Sequence, residues 1–483
     1  MTAKGHLVVR RSARGRLQIL GAVLAALVLA ALTTAALLAV AEPSIELAVA
    51  LPVLAVVGVL AFALPVHTLP ALALAVLALV PTRLIPNDGP FNALPPLAIL
   101  MGIWVFRRFV LGQRPPGDEA PLPDHDRMGP RFAVYATAGL LAVWLGISTV
   151  LGGISETTLG WTLSFVVSVL LPLLVFDARA EARLLARVFL VLGAIVGGYL
   201  LVEGTLGTSP IYGLLVGGGD DFMFSVYRAR AAFSHPLFAS AFLTIPAALG
   251  IGTWLVSGRR WALVCGALAA AGVVMTVSRG AIAAIGVAVG FALLIGPVFI
   301  GWKNVTRWLQ LLGITVVGGV LVLNFGPLVQ RAGSIESQLS AGVRDRAIEV
   351  ALQASQVSGW LGTGPGTSGV TGRLFDDIII ENSMLQLLIS VGIPGLLLFL
   401  LLMASLMWQA WVRGNLGIVL AIIAYVVAIS GFNSLDAVRA MHVILGFLVI
   451  IATHGAASFA DAPKPMPAFA QAKASEPRIR ATI

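Results

Sequence analysis

Three contexts in this chain carry side chains able to hold an anion and move a proton. Residues 227 to 243, YRARAAFSHPLFASAFL, set Arg228 and Arg230 ahead of an aromatic residue and then His235-Pro236. Residues 275 to 290, MTVSRGAIAAIGVAVG, put Ser278-Arg279-Gly280 between two apolar runs with almost no loop. A long polar stretch, 326 to 382, carries Arg344 and Arg346 and ends on Glu381-Asn382. A guanidinium is a permanently charged planar fork that grips phosphate oxygens two at a time. A histidine can donate to a phosphate or relay a proton, and a carboxylate can act as a general base. The chemistry available is therefore anion binding with proton removal.

Each context also has a plainer reading. Proline is tolerated at the first position of a helix, so His235 also fits a polar helix-entry residue. Glu381-Asn382-Ser383 also fits an N-cap cluster. Arg279 is harder to explain structurally, because an arginine in so tight a hairpin is costly to bury without an anionic partner. Val343, Ala347, Val350, Ala351 and Ala354 recur with a helical period, which sets Arg344 and Asp345 beside the apolar face and Arg346 elsewhere. The turn WLGTGPG, 360 to 366, lacks the Lys-Ser/Thr ending of a nucleotide phosphate loop and is read as a sharp chain reversal.

The elements that position these residues are membrane helices. The chain has 483 residues, of which 58% are hydrophobic and 11% charged, and its mean hydropathy is +0.97. A soluble domain carries about 25% charged residues. Continuous apolar runs of spanning length, about 20 residues, argue against a β-barrel, whose strands alternate. The fold class expected is an all-α polytopic membrane protein with about 12–14 transmembrane helices and one large helical extracytoplasmic loop. A segment at 1–16 precedes helices over 17–325; the loop is 326–382, the last helices fill 383–456, and a disordered tail occupies 457–483. The run at 17–41 is read as a retained span, not a cleaved signal peptide.

With both termini cytoplasmic, 22 of the 31 Lys and Arg residues fall inside, as the positive-inside rule requires. The net charge of +9 then reports membrane orientation and gives no reason to expect nucleic acid. The basic residues left outside are Arg83, Arg228, Arg230, Arg279, Arg331, Arg344, Arg346, Arg373 and Arg439, and none is lysine. Arg83, Arg331 and Arg439 are read as snorkelling to headgroups. Asp124-His125-Asp126 lies in a Pro-rich linker at 114–131 that fixes no coordination geometry, and the lone Cys265 cannot form a multi-cysteine site, so no metal is expected. Glu46, Arg83, Glu203 and Arg439 all fall near the ends of spans, which counts against an ion-coupled transporter.

In order, these contexts resemble the O-antigen ligase and O-antigen polymerase superfamily, membrane glycosyltransferases of the GT-C type. The resemblance covers roughly residues 225 to 400. It rests on Arg230 to Pro236, the SRG hairpin at Arg279, Arg344 with Arg346 as a rival match, the turn Gly362 to Gly366, and Asn382 to Leu385 followed by Gly392 and Gly395. It implies an inverting, cofactor-free and metal-independent enzyme in the bacterial cytoplasmic membrane. Such an enzyme transfers a glycan from undecaprenyl diphosphate, its lipid-linked oligosaccharide donor, to an acceptor hydroxyl on the outer face. By the resemblance, Arg279, Arg344 and Glu381 are catalytic, and Arg228, Arg230, His235 and Arg346 join the two arginines in holding the diphosphate. Ligases of this type have a histidine where this chain has Glu381, which leans the expectation toward a polymerase of a surface polysaccharide. The alternative class is a transporter or flippase of lipid-linked oligosaccharide.

Overall fold

The computed structural model describes residues 45–85, 90–113, 128–216, 222–223, 226–300, 305–332 and 335–455. The segment 1–16, the expected span at 17–41, residues 114–127 of the linker and the tail from 457 onward lie outside the described residues. The first half of the described chain contains α1 (Ile45–Ala63), α2 (Leu69–Leu79), the short α3 (Pro90–Ala93), α4 (Pro96–Val105), α5 (Met128–Leu151), α6 (Glu156–Phe165), α7 (Arg179–Leu206) and the short α8 (Tyr212–Val216). A two-residue antiparallel pair follows, Phe222–Met223 against Val226–Tyr227. The second half contains α9 (Pro236–Ser257), α10 (Arg260–Met275), α11 (Arg279–Ile300), α12 (Val305–Leu323), α13 (Gly326–Ala332), α14 (Ile335–Val357), α15 (Ser368–Asp376), α16 (Ser383–Val412), α17 (Leu416–Ile429) and α18 (Ala440–His454).

The architecture is all-α and polytopic. Among the described residues, seven helices are long and apolar enough to cross a membrane: Gly129–Leu151, Glu156–Leu174, Arg179–Leu206, Pro236–Ser257, Arg279–Val298, Val305–Leu323 and Ser383–Val412. Four shorter apolar helices, Val66–Leu79, Arg260–Met275, Leu416–Ile429 and Ala440–His454, pack beside them. The spanning window of α9 is 89% buried, whereas that of α12 is 6% buried and turns Val316, Val317, Leu321 and Leu323 outward. A hydrocarbon surround suits such an apolar exterior.

Helix α9 is the centre of the bundle, in contact with α7, α10, α11 and α17. Between helices in lipid, close backbone approach replaces the hydrophobic drive, so small residues mark the crossings. A Cβ on Gly252 would stand 2.4 Å from Gly417 Cα of α17, and one on Gly250 would stand 2.8 Å from Gly266 Cα of α10.

The stretch 326–382 is mostly helical. Ala347, Val350, Ala351 and Ala354 of α14 are buried against Ile380 and Ile389, so four residues of the expected apolar stripe form a packing face, while its first, Val343, is exposed in the wall of a cavity. The WLGTGPG turn docks into a break in α16. There Gly392 adopts φ 68° and Pro394 follows, so the helical ladder is interrupted. Thr363 and Gly364 donate their N–H groups to the carbonyls of Ile389 and Ser390 at 2.8 and 2.9 Å, and Ile393 N–H donates to Trp360 O at 3.0 Å. The turn's amides are committed to helix carbonyls that would otherwise be orphaned.

Candidate functional site

The site is built around the hairpin between α10 and α11. Helix α10 ends at Met275, and Val277 takes a left-handed φ of 51°, a strained choice for a β-branched residue. The last carbonyls of a helix lack intrahelical partners and carry partial negative charge. Here they are taken up in succession. Ala229 N–H donates to Met275 O at 3.2 Å and Arg228 Nε donates to Thr276 O at 3.0 Å. Arg331 Nη1 donates to Val277 O. Two buried arginines therefore clamp the turn that presents Ser278-Arg279-Gly280.

The loop that brings Arg228 is itself anchored. Glu203, fully buried near the end of α7, accepts from the Tyr227 hydroxyl at 3.0 Å and from the backbone N–H groups of Arg230 at 3.0 Å and Ala231 at 2.9 Å. A buried carboxylate is retained at such a depth by donors that satisfy it. Sequence reasoning assigned Glu203 only to a span end; its pairing with the 227–231 loop is visible only once the chain is folded.

A cavity of about 250 Å³ opens beside the hairpin. Arg279 comes to it from α11, Arg331 from α13, Arg344 from α14, and Glu381 with Asn382 from the entry to α16. Leu237, Ser240 and Phe432 complete part of its wall. Two long helices begin at this cavity: Arg279–Ile300, whose Gly280 and Ala281 line it, and Ser383–Val412, capped by Asn382 Oδ1 accepting from Met384 N–H at 2.9 Å and Leu385 N–H at 3.2 Å. Helix N-termini favour anions. Three guanidinium groups and one carboxylate leave the lining with an excess of positive charge suited to a dianion.

Electrostatics separate the arginines. Burial, then Arg279 and Arg344, lower Arg331 to about 10, while Glu381 acts in the opposite sense. Burial, then Arg331, lower Arg228 to about 9, again opposed by Glu381. Both remain cationic at neutral pH. Arg279 and Arg344 thus each act on Arg331 at Coulombic range.

The other residues singled out in the sequence take different places. His235 is the N-cap of α9, its Nδ1 accepting from Leu237 N–H at 3.2 Å. Burial, then Arg228 and Arg230, push it down to about 4, so it is neutral at pH 7 with its proton on Nε2. His235 and Arg230 are absent from the lining of the 250 Å³ cavity. Arg346, expected from the resemblance to help hold the diphosphate, is exposed, pairs with Asp376 at 2.6 Å and Glu349 at 2.5 Å, and is absent from the cavity lining. Arg331, read from the sequence as a snorkelling residue, is 6% exposed and lines the cavity. Its distinguishing signal was its position in the polar stretch that also carries Arg344.

Among the described residues no group of three or more His, Cys, Asp or Glu side chains could hold a metal ion. Asp124, His125 and Asp126 lie outside the described residues. No protein-family model matches the chain, and no curated protein matches it.

Proposed function

We propose that this cavity binds the diphosphate of a lipid-linked glycan donor and that the protein is an inverting membrane glycosyltransferase of the O-antigen ligase and polymerase type. The observation carrying this reading is that Arg279, Arg331, Arg344 and Glu381, drawn from four separate elements, line one cavity where two helices begin. A sugar joined to a lipid diphosphate leaves negative charge on the phosphate as its C1–O bond breaks. Preorganised cations aimed at that charge contribute about 3 kcal/mol each to transition-state stabilisation.

Glu381 takes the proton of the acceptor hydroxyl as its oxygen bonds to C1 from the opposite side. The products are an inverted glycosidic bond and a free lipid diphosphate. Arg228 acts indirectly, holding the Thr276 carbonyl and so the hairpin bearing Arg279. Glu381 in place of a histidine favours polymerisation of a surface polysaccharide over ligation.

The arrangement in the bilayer follows from charge. The protein is proposed to cross the bacterial cytoplasmic membrane about 12–14 times with both termini cytoplasmic and 326–382 outside, since 22 of 31 Lys and Arg residues then lie within. The testing experiment incubates purified protein with a lipid-diphosphate oligosaccharide and compares wild type with Arg279→Ala and Glu381→Gln. New glycosidic bonds in the wild type, lost in both variants, support the reading. Translocation across vesicles without bond formation supports a flippase instead.

A further inference from the structure

The stretch 326–382 is not polar throughout. No Asp, Glu, Lys or Arg occurs from 350 to 372, between Glu349 and Arg373. Two further uncharged stretches meet it in space: 132–155, which holds most of α5 and the turn after it, and 382–412, which is α16 with its cap. Both helices are long and apolar enough to cross a membrane. The three stretches touch backbone to backbone. A Cβ on Gly152, just past α5, would stand 2.4 Å from Gly364 Cα, and one on Gly392 would stand 2.5 Å from the carbonyl carbon of Leu361. The turn from Trp360 to Gly364 is therefore seated where α5 ends and α16 breaks.

The side chains facing outward at this junction are apolar. Ile147, Val150 and Leu151 form an exposed stripe up the end of α5, and Ile393, Leu397 and Leu401 form one along α16 from the break. Hydrocarbon suits such stripes on spanning helices. The same character continues past the helix ends in Val357, which ends α14 and is 79% exposed, and in Leu361, also exposed. Ile393 N–H donates to Trp360 O at 3.0 Å, which sets Leu361 at the head of the α16 stripe. Trp360 itself is half-buried and takes a left-handed φ of 64°, held there by that bond and by its own N–H donating to Ser355 O at 2.7 Å. Tryptophan is favoured at the level of lipid headgroups. The charges of α14 lie elsewhere: Arg346, paired with Glu349 and Asp376 in an exposed cluster, is about 16 Å along the helix from Val357.

We propose that the turn from Val357 to Leu361 is inserted in the lipid leaflet surrounding the junction of α5 and α16. The stretch 326–382 then meets the bilayer at its middle as well as at its two ends. Its occupant is lipid and not a second protein, because the exposed turn continues, with no charge between, from the outward faces of two spanning helices. Helix α14 is thereby held against the bilayer at its C-terminal end, about 20 Å along the helix from Arg344 in the cavity. This contact does not depend on which reaction the cavity performs.

The test uses the full chain in phosphatidylcholine nanodiscs. Cys265 is the only cysteine, so Cys265→Ser gives a background in which Val357→Cys, Leu361→Cys, Leu397→Cys and Arg346→Cys each carry one nitroxide. Power-saturation spectroscopy then compares collisions with oxygen, concentrated in lipid, and with a nickel chelate, concentrated in water. The nitroxides at 357 and 361 should read about 5–10 Å below the headgroup boundary. That at 397 should read deeper, and that at 346 should lie in water. Val357 is exposed and packs against nothing that its label displaces, so position 357 decides the outcome where the Leu361 variant disturbs the α16 break. Nickel accessibility at 357 equal to that at 346 would overturn the insertion. Exclusion of both reagents from 357 would overturn it too, because that marks a face covered by protein.

Discussion

Arg228 Nε donates to the carbonyl of Thr276 at 3.0 Å, joining the loop before α9 to the turn that presents Arg279. Arg228 is 2% exposed, so the contact is sheltered from water. Removing it leaves a carbonyl at the end of α10 without its donor. Arg228→Met should therefore destabilise the protein by about 1–3 kcal/mol, the penalty for an unmet buried polar group. Thermal unfolding in detergent measures this. Activity should fall along with stability, and an unchanged melting temperature would remove the clamp from the account.

Arg346 and Arg344 are two residues apart on α14 but should behave oppositely. Arg344 lines the cavity, while Arg346 pairs with Glu349 and Asp376 at an exposed position. Exposed pairs contribute little, about 0–1 kcal/mol. Arg346→Ala should leave glycan transfer within about twofold of wild type, and Arg344→Ala should reduce it roughly a hundredfold, as loss of a transition-state donor does. Equal losses in initial-rate assays would place the anion elsewhere.

His235 gives a pH signature. Its folded-state pKa is lowered to about 4, chiefly by burial, from the ordinary histidine value of 6.5. The unfolded chain therefore takes up this proton first on acidification. The stability due to neutral His235 is complete above about pH 6.5 and is lost as pH falls from there through about 4. His235→Asn keeps a capping oxygen and should flatten the melting temperature over that window. A slope equal to the wild type's would show that other groups carry it.

Gly362 tests the docking of the GTGPG turn. Its φ is 92°, and a Cβ there would lie 2.5 Å from Ser390 O. Gly362→Ala should loosen the turn from the break in α16, at a cost of about 1–3 kcal/mol. Hydrogen exchange should then rise at Thr363 and Gly364, with transfer impaired although no cavity residue has changed. Unaltered exchange at those amides would contradict the docking.

Much of the fold could be read in the sequence because apolar length is a local property. The stretch expected to hold helices over 17–325 contains the long apolar Pro236–Ser257 and Arg279–Ile300, and the stripe from Ala347 to Ala354 became the buried face of α14. Within the stretches expected to hold spans, Arg260–Met275, Leu416–Ile429 and Ala440–His454 are shorter helices, because turns at their ends consume residues that hydropathy alone counts as span. Arg331 and Arg228 were harder to place. Their positions depend on which carbonyls a distant turn leaves open, and no sequence window contains both partners. The docking of Trp360 to Gly364 into the break at Gly392 is invisible for the same reason, although each glycine is plain in the sequence.

The cavity of Arg279, Arg331, Arg344 and Glu381 is proposed to transfer a glycan from a lipid diphosphate. The most direct measurement is the release of free lipid diphosphate coupled to glycan growth, followed by mass spectrometry with purified protein. The wild type should show stoichiometric release and growth, with both reduced at least about a hundredfold by Arg279→Ala. Growth at the wild-type rate in Arg279→Ala, or no growth in a well-folded wild type, would contradict it.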